Sequence, residues 1–112
     1  MWMDGSRYEG EFRNNNINGT GTYNWPDGRS YTGDWKDNMM HGTGVFKWSD
    51  GRVYNGEYKD EKKHGYGVFS WPDGREYRGL WENGFQHGEG LMIELDGKSR
   101  RGVWKNGEIE MW

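Results

Sequence analysis

A period of 23 residues runs through this chain and limits what it can fold into more than any other feature. The unit 54–76 reads YNGEYKDEKKHGYGVFSWPDGRE. Its opening Tyr-x-Gly-x-aromatic motif stands also at Tyr8/Gly10/Phe12, Tyr31/Gly33/Trp35 and Tyr77/Gly79/Trp81. Gly-x-Gly follows at Gly19/Gly21, Gly42/Gly44, Gly65/Gly67 and Gly88/Gly90, and Asp-Gly at Asp27/Gly28, Asp50/Gly51, Asp73/Gly74 and Asp96/Gly97. Such self-similarity marks a repeat array, in which each unit buries its apolar face only against its neighbours.

The frame divides the array 1–112 into a partial repeat at 1–7, full repeats at 8–30, 31–53, 54–76 and 77–99, and a closing hairpin at 100–112. Trp2, Asp4 and Gly5 lie 23 positions before Trp25, Asp27 and Gly28. The opening residues therefore read as the tail of an earlier unit, and the chain either as a piece of a longer array, the preferred reading, or as an array whose end is a natural half-repeat cap.

Within a unit, residues two apart share one character: Tyr31, Gly33, Trp35, then Gly42, Gly44, Phe46, Trp48. That is the period of a strand, whose alternate side chains share a face. Asp37-Asn38, Asn14-Asn15, Asn83-Gly84 and Asn106-Gly107 separate the strands with residues that accept positive φ in two-residue hairpin turns. Asp60-Glu61 breaks the pattern, and a looser or longer turn is expected there. The second connection, Pro26-Asp27-Gly28 and its equivalents, suits a three-residue loop closed by Gly. Counting outward from these turns sets Tyr31 opposite Gly44 and Gly44 opposite Gly56, with rings and glycines on one face. Thr32, Asp34, Lys36, Thr43, Val45 and Lys47 form an opposite face that is mostly polar.

Hydrophobic residues are only 31% and mean hydropathy is -1.26, so a thick two-layer core is not available. Eight Trp, seven Tyr and four Phe supply the burial instead. Glycine normally weakens a strand, but a ring from the neighbouring strand can lie over its bare backbone. The expected fold is all-β: a single-layer, twisted, antiparallel meander of stacked β-hairpins with about nine or ten strands, each repeat advancing roughly 9.5 Å.

At Tyr-x-Gly-x-Trp, Gly-x-Gly and Asp-Gly the chain resembles the MORN (membrane occupation and recognition nexus) repeat family over essentially its whole length. The resemblance implies a ribbon of stacked hairpins that serves as a scaffold or binding module. Such arrays occur in proteins of cilia, cytoskeleton and membrane contact sites, and beside enzymes such as phosphoinositide kinases and a lysine methyltransferase. Phe12 and Tyr58 depart from the usual Trp, Glu94 replaces the Trp seen at 25, 48 and 71, and Arg100 replaces Tyr. Glu110 and Met111 fall where His-Gly stood, and the charged residues of the closing hairpin blunt its edge.

A net charge of -3, spread through every repeat, gives no footprint for nucleic acid. Without cysteine, and without an apolar run near the ~20 residues of a membrane helix, the expected setting is cytoplasmic, with cytoskeletal, ciliary or membrane-associated placement following from the resemblance. His41, His64 and His87 recur before Gly-x-Gly, yet equivalent positions stand roughly 9.5 Å apart, too far to share one metal. A structural role beside the turn is expected, and Asn18 in the same place of the first unit suits it. The ladder Asp27, Asp50, Asp73 and Asp96 is explained by local turn bonds, and no catalytic triad is recognisable. No enzyme activity, cofactor or metal is expected.

Two surfaces remain. Arg29, Arg52, Arg75 and Lys98 line one long edge and, with Lys59, Lys62 and Lys63, offer contacts to anionic lipid, although the acidic residues beside them favour a solvated, charge-balanced surface. Tyr31, Trp35, Phe46, Trp48, Tyr54, Tyr58, Phe69, Trp71, Tyr77 and Trp81 should form a partly open groove, because a single sheet has no second layer to cover them. The preferred reading is a non-catalytic scaffold that holds an extended peptide or amphipathic helix of a partner protein on this aromatic face. The alternatives are a peripheral membrane module and a substrate-positioning domain of a larger enzyme, with self-association through the terminal hairpins as a further contact.

Overall fold

A computed structural model describes residues 5–112. The repeat equivalence drawn for Trp2 and Asp4 lies outside the described residues. Among the described residues ten strands form one antiparallel sheet in strict sequence order. They are β1 (Arg7–Arg13), β2 (Asn16–Asn24), β3 (Ser30–Lys36), β4 (Met39–Lys47), β5 (Val53–Lys59), β6 (Lys62–Ser70), β7 (Glu76–Glu82), β8 (Phe85–Ile93), β9 (Ser99–Lys105) and β10 (Glu108–Met111). The ribbon measures 46 × 24 × 17 Å. Ten strands at about 4.8 Å spacing account for its length.

Both turn types form as their residues require. At Asp37-Asn38 the φ angles are 48° and 68°, the left-handed pair that Asn and Asp tolerate. In the longer connection Gly28 N–H donates to the Trp25 carbonyl at 3.2 Å, and Gly28 takes φ 98° to close the loop. Asp60-Glu61 is not looser: φ values of 49° and 72° make it the same two-residue turn, with Lys59 paired to Lys62. The reason lies outside the turn. Glu61 N–H donates to the Met40 carbonyl at 3.0 Å, and Met40 N–H returns a bond to Glu61 Oε1 at 3.1 Å. In the preceding repeat Asn38 makes the same exchange with Ile17. Contact with the neighbouring hairpin thus overrides the local preference of Glu.

The pairing also departs from simple counting. Tyr31 faces Phe46 rather than Gly44, and Gly44 faces Gly33 on one side and Gly56 on the other. Between Trp35↔Met40 and Gly33↔Gly44 the ladder slips, with 41–43 on β4 spanning the single Asp34 on β3. A slip of two residues keeps every side chain on its own face. Gly42 enters the left-handed region at φ 72° to make the bulge, and Asp34 Oδ2 closes it by accepting Thr43 N–H at 3.0 Å. The slip recurs at the equivalent place in the first, third and fourth hairpins.

In consequence one glycine per strand, from Gly10 in β1 to Gly102 in β9, forms a straight row across the sheet. Each repeat tyrosine lies lengthwise over that row. A Cβ at Gly44 would collide with the Tyr31 ring, and one at Gly67 with the Tyr54 ring. The glycines are therefore covered as expected, but by a ring reaching along the strand rather than one standing directly opposite.

Candidate functional site: the aromatic face

The rings sort into two columns that run along the ribbon axis. The inner column alternates edge to face: Tyr31–Trp35 at 5.0 Å, Tyr31–Tyr58 at 5.3 Å, Tyr54–Tyr58 at 5.2 Å, Tyr54–Trp81 at 5.3 Å and Tyr77–Trp104 at 4.8 Å, all near perpendicular. This is the arrangement that ring quadrupoles prefer. Tyr31, Tyr54 and Tyr77 have no exposed surface, and their hydroxyls donate to the carbonyls of Asp34, Glu57 and Leu80 at 3.0, 2.9 and 2.8 Å. Burial pushes all three up from the usual tyrosine range, Tyr77 to about 12, and raises Tyr58 likewise. The indoles of Trp35 and Trp81 donate to the Gly21 and Gly67 carbonyls at 3.1 and 3.2 Å.

The outer column is tilted rather than perpendicular: Trp25–Phe46 at 5.4 Å, Phe46–Trp48 at 4.5 Å, Trp48–Phe69 at 5.4 Å and Phe69–Trp71 at 4.7 Å. Glu94 and Met92 take the corresponding places in the fourth repeat, so the column stops at Trp71.

The ten rings expected to line a groove are all on this face, but they are not equally open. Tyr31, Trp35, Phe46, Tyr54, Tyr58, Phe69, Tyr77 and Trp81 are buried. The expectation of an open groove is corrected for these eight: edge-to-face stacking along the ribbon covers them without a second sheet. Trp48 and Trp71 are only half-buried, as is Trp25, which the sequence reading left out of the groove.

The basic edge differs from its sequence picture too. Arg29, Arg52 and Arg75 each bind their own turn carboxylate, Nε lying 2.8, 2.8 and 2.9 Å from Asp27, Asp50 and Asp73. Each guanidinium also lies over an outer-column indole, at 5.2, 5.2 and 5.3 Å from Trp25, Trp48 and Trp71. The Arg29, Arg52 and Arg75 backbone N–H groups are the chief reason the three carboxyls are held below their usual range. Among the described residues Lys98 keeps only the turn bond from its N–H to Asp96 at 2.9 Å. Lys59 and Lys62 are exposed, whereas Lys63 turns onto the aromatic face.

The position before Gly-x-Gly holds the next hairpin in place in the first and fourth repeats, whereas His41 Nδ1 is buried with no hydrogen-bond partner among the described residues. Asn18 Oδ1 accepts Asp37 N–H at 3.1 Å, and His87 Nδ1 accepts Asn106 N–H at 3.4 Å. Asn18 and His87 fill one hydrogen-bonding role there, and His41 does not. The sequence reading took the opposite face from the second repeat alone and so missed its later change. Tyr66, Leu80, Leu91 and Val103 line an open trough of about 560 Å³ on that side. Leucine at 80, where Glu57 and Asp34 stand one and two repeats earlier, was the available signal.

No match to a curated protein was found. The family model of the MORN repeat matches residues 8–28, 31–51, 54–74 and 77–93. Each match begins on the tyrosine that roofs the glycine row, and the first three end on the Asp-Gly turn. With four matches over most of its length, the chain belongs to the MORN repeat family, whose repeats in general serve protein or membrane interaction rather than catalysis.

Proposed function

We propose that this protein is a non-catalytic scaffold whose outer aromatic column binds an extended peptide or an amphipathic helix of a partner protein. The observation that carries this reading is the row of half-buried indoles, Trp25, Trp48 and Trp71, held in line on a fully packed inner column. Rigid, partly exposed Trp is the side chain most enriched in binding hot spots, because it offers large area and loses little conformational freedom. The membrane alternative draws less support, since Arg29, Arg52 and Arg75 are already paired with carboxylates.

The test is capture from native cells with the wild-type chain and with Trp48→Ala and Trp71→Ala, each confirmed folded, followed by affinity measurement for whatever only the wild type retains. Each substitution should weaken that complex by about 1–3 kcal/mol. Unchanged affinity in both variants removes the reading. Sedimentation with anionic and neutral liposomes tests the membrane alternative: binding to anionic vesicles that Arg75→Gln weakens supports it, and no binding at low salt rules it out.

A further inference from the structure

Position 63 is where the repeat departs from its own chemistry. The equivalent residues are Ile17, Met40 and Gln86, none of them charged, and Ile17 and Met40 are buried members of the core. The scaffold therefore closes around an uncharged side chain and does not need a cation at this place. Lys63 nevertheless carries its ammonium into the space between the two ring columns. Nζ lies 5.4 Å from the Trp48 ring centre, 5.6 Å from Tyr54, 5.9 Å from Phe69 and 5.6 Å from Trp81. Among the described residues no Asp or Glu stands within ion-pair reach of it.

Four ring faces attract a cation, but they do not replace a counter-charge. Burial lowers the Lys63 pKa, and the nearby Arg52, itself bound to Asp50, lowers it further. A desolvated ammonium surrounded by rings, next to a second cation and with no carboxylate, is an incomplete ion pair. The half-buried indoles of Trp48 and Trp71 belong to successive repeats on the same column.

We propose that Lys63 is the anchor of the aromatic face for one acidic side chain of the bound protein segment, an Asp or Glu flanked by apolar residues that lie on Trp48 and Trp71. This rests on the reading of that face as a protein-binding surface and names the chemistry it selects. The incoming carboxylate supplies the missing charge where water is scarce and pairing is strong. Successive repeats are roughly 9.5 Å apart, and an extended segment rises about 3.3 Å per residue. A segment along the ribbon axis then covers the distance from one indole to the next in about three residues, and the acidic one lies between the two apolar contacts. A lipid phosphate would also answer a cation, but this ammonium sits among rings rather than on the exposed edge.

A displayed library of random peptides, selected in parallel on the full wild-type chain, on Lys63→Met and on Trp71→Ala, tests the inference. Lys63→Met copies Met40 and Lys63→Gln copies Gln86, so at least one of them should retain the wild-type fold, checked by thermal melting. Peptides from the wild-type selection should carry Asp or Glu between apolar residues. For the tightest of them, replacing the acidic residue by its amide should weaken binding to the wild type about tenfold and to the Lys63 variant less than twofold. Peptides that need Trp71 but are indifferent to Lys63, or an equal loss on both chains, overturn this inference alone. Selection of no peptide, or of peptides that bind Trp71→Ala as well as the wild type, overturns the proposed function with it. Lys63-dependent binding to phosphatidylserine vesicles without acidic enrichment among the peptides assigns the cation to lipid and overturns the proposal.

Discussion

The two faces of this sheet obey the repeat to different degrees. On the aromatic face Tyr8, Tyr31, Tyr54 and Tyr77 each lay a ring over two glycines and donate to the carbonyl three residues ahead. On the opposite face Glu11, Asp34 and Glu57 accept the backbone N–H of Thr20, Thr43 and Tyr66, but the fourth repeat has Leu80 instead. The difference is one of confinement. An inward ring has neighbours above, below and beneath, so little else fits. An outward carboxylate competes with water for its partner, and losing it is tolerable. The same freedom lets the outer face turn apolar around Tyr66, Leu80 and Val103, which are more than a third exposed.

The sharpest way to break this contrast is Tyr54→Ala. It removes a fully buried ring stacked on both Tyr58 and Trp81, and should cost about 3–5 kcal/mol in urea unfolding. A loss near zero would show that the inner column is not the core. Next comes alkaline pH. Burial raises Tyr31, Tyr54, Tyr58 and Tyr77, so above pH 10 these tyrosines ionise in the unfolded chain while the folded chain keeps its protons. Stability should therefore be flat below pH 10 with respect to these groups and fall above it, by on the order of 1 kcal/mol per pH unit per tyrosine. Denaturant midpoints measured between pH 8 and pH 11 check the sign, and constant stability across that range would contradict the burial. The smallest effect belongs to the outer face: Glu57→Leu, which copies Leu80, gives up one exposed carboxylate bond at 2.7 Å and should cost about 1 kcal/mol. If it cost as much as Tyr54→Ala, the two faces would not differ in the way described.

Much of this was legible from residue types because the repeat states each requirement several times. Asn83-Gly84 and Pro72-Asp73-Gly74 declare their turns by the φ angles that they alone accept comfortably. Asp60-Glu61 was misread because no local rule contains the Met40 backbone that holds it, 21 residues away. The ladder slip was missed for a related reason: counting from a turn assumes an unbroken ladder, and nothing local says that Asp34 will span three residues of β4. Lys63 was grouped with Lys59 and Lys62 on the edge, although only Lys63 turns inward.

What the sequence determined by itself is the single layer, the meander order, the face that carries the rings and the glycines beneath them. Those follow from a period of two, turn chemistry and a 23-residue spacing, all of them properties of neighbouring residues. Only the tertiary structure decided that eight of the ten expected groove rings close on one another, that glycine faces glycine across the strands, and that one lysine lies among four rings. These outcomes depend on side chains from different repeats reaching the same space, and such contacts form when the hairpins stack.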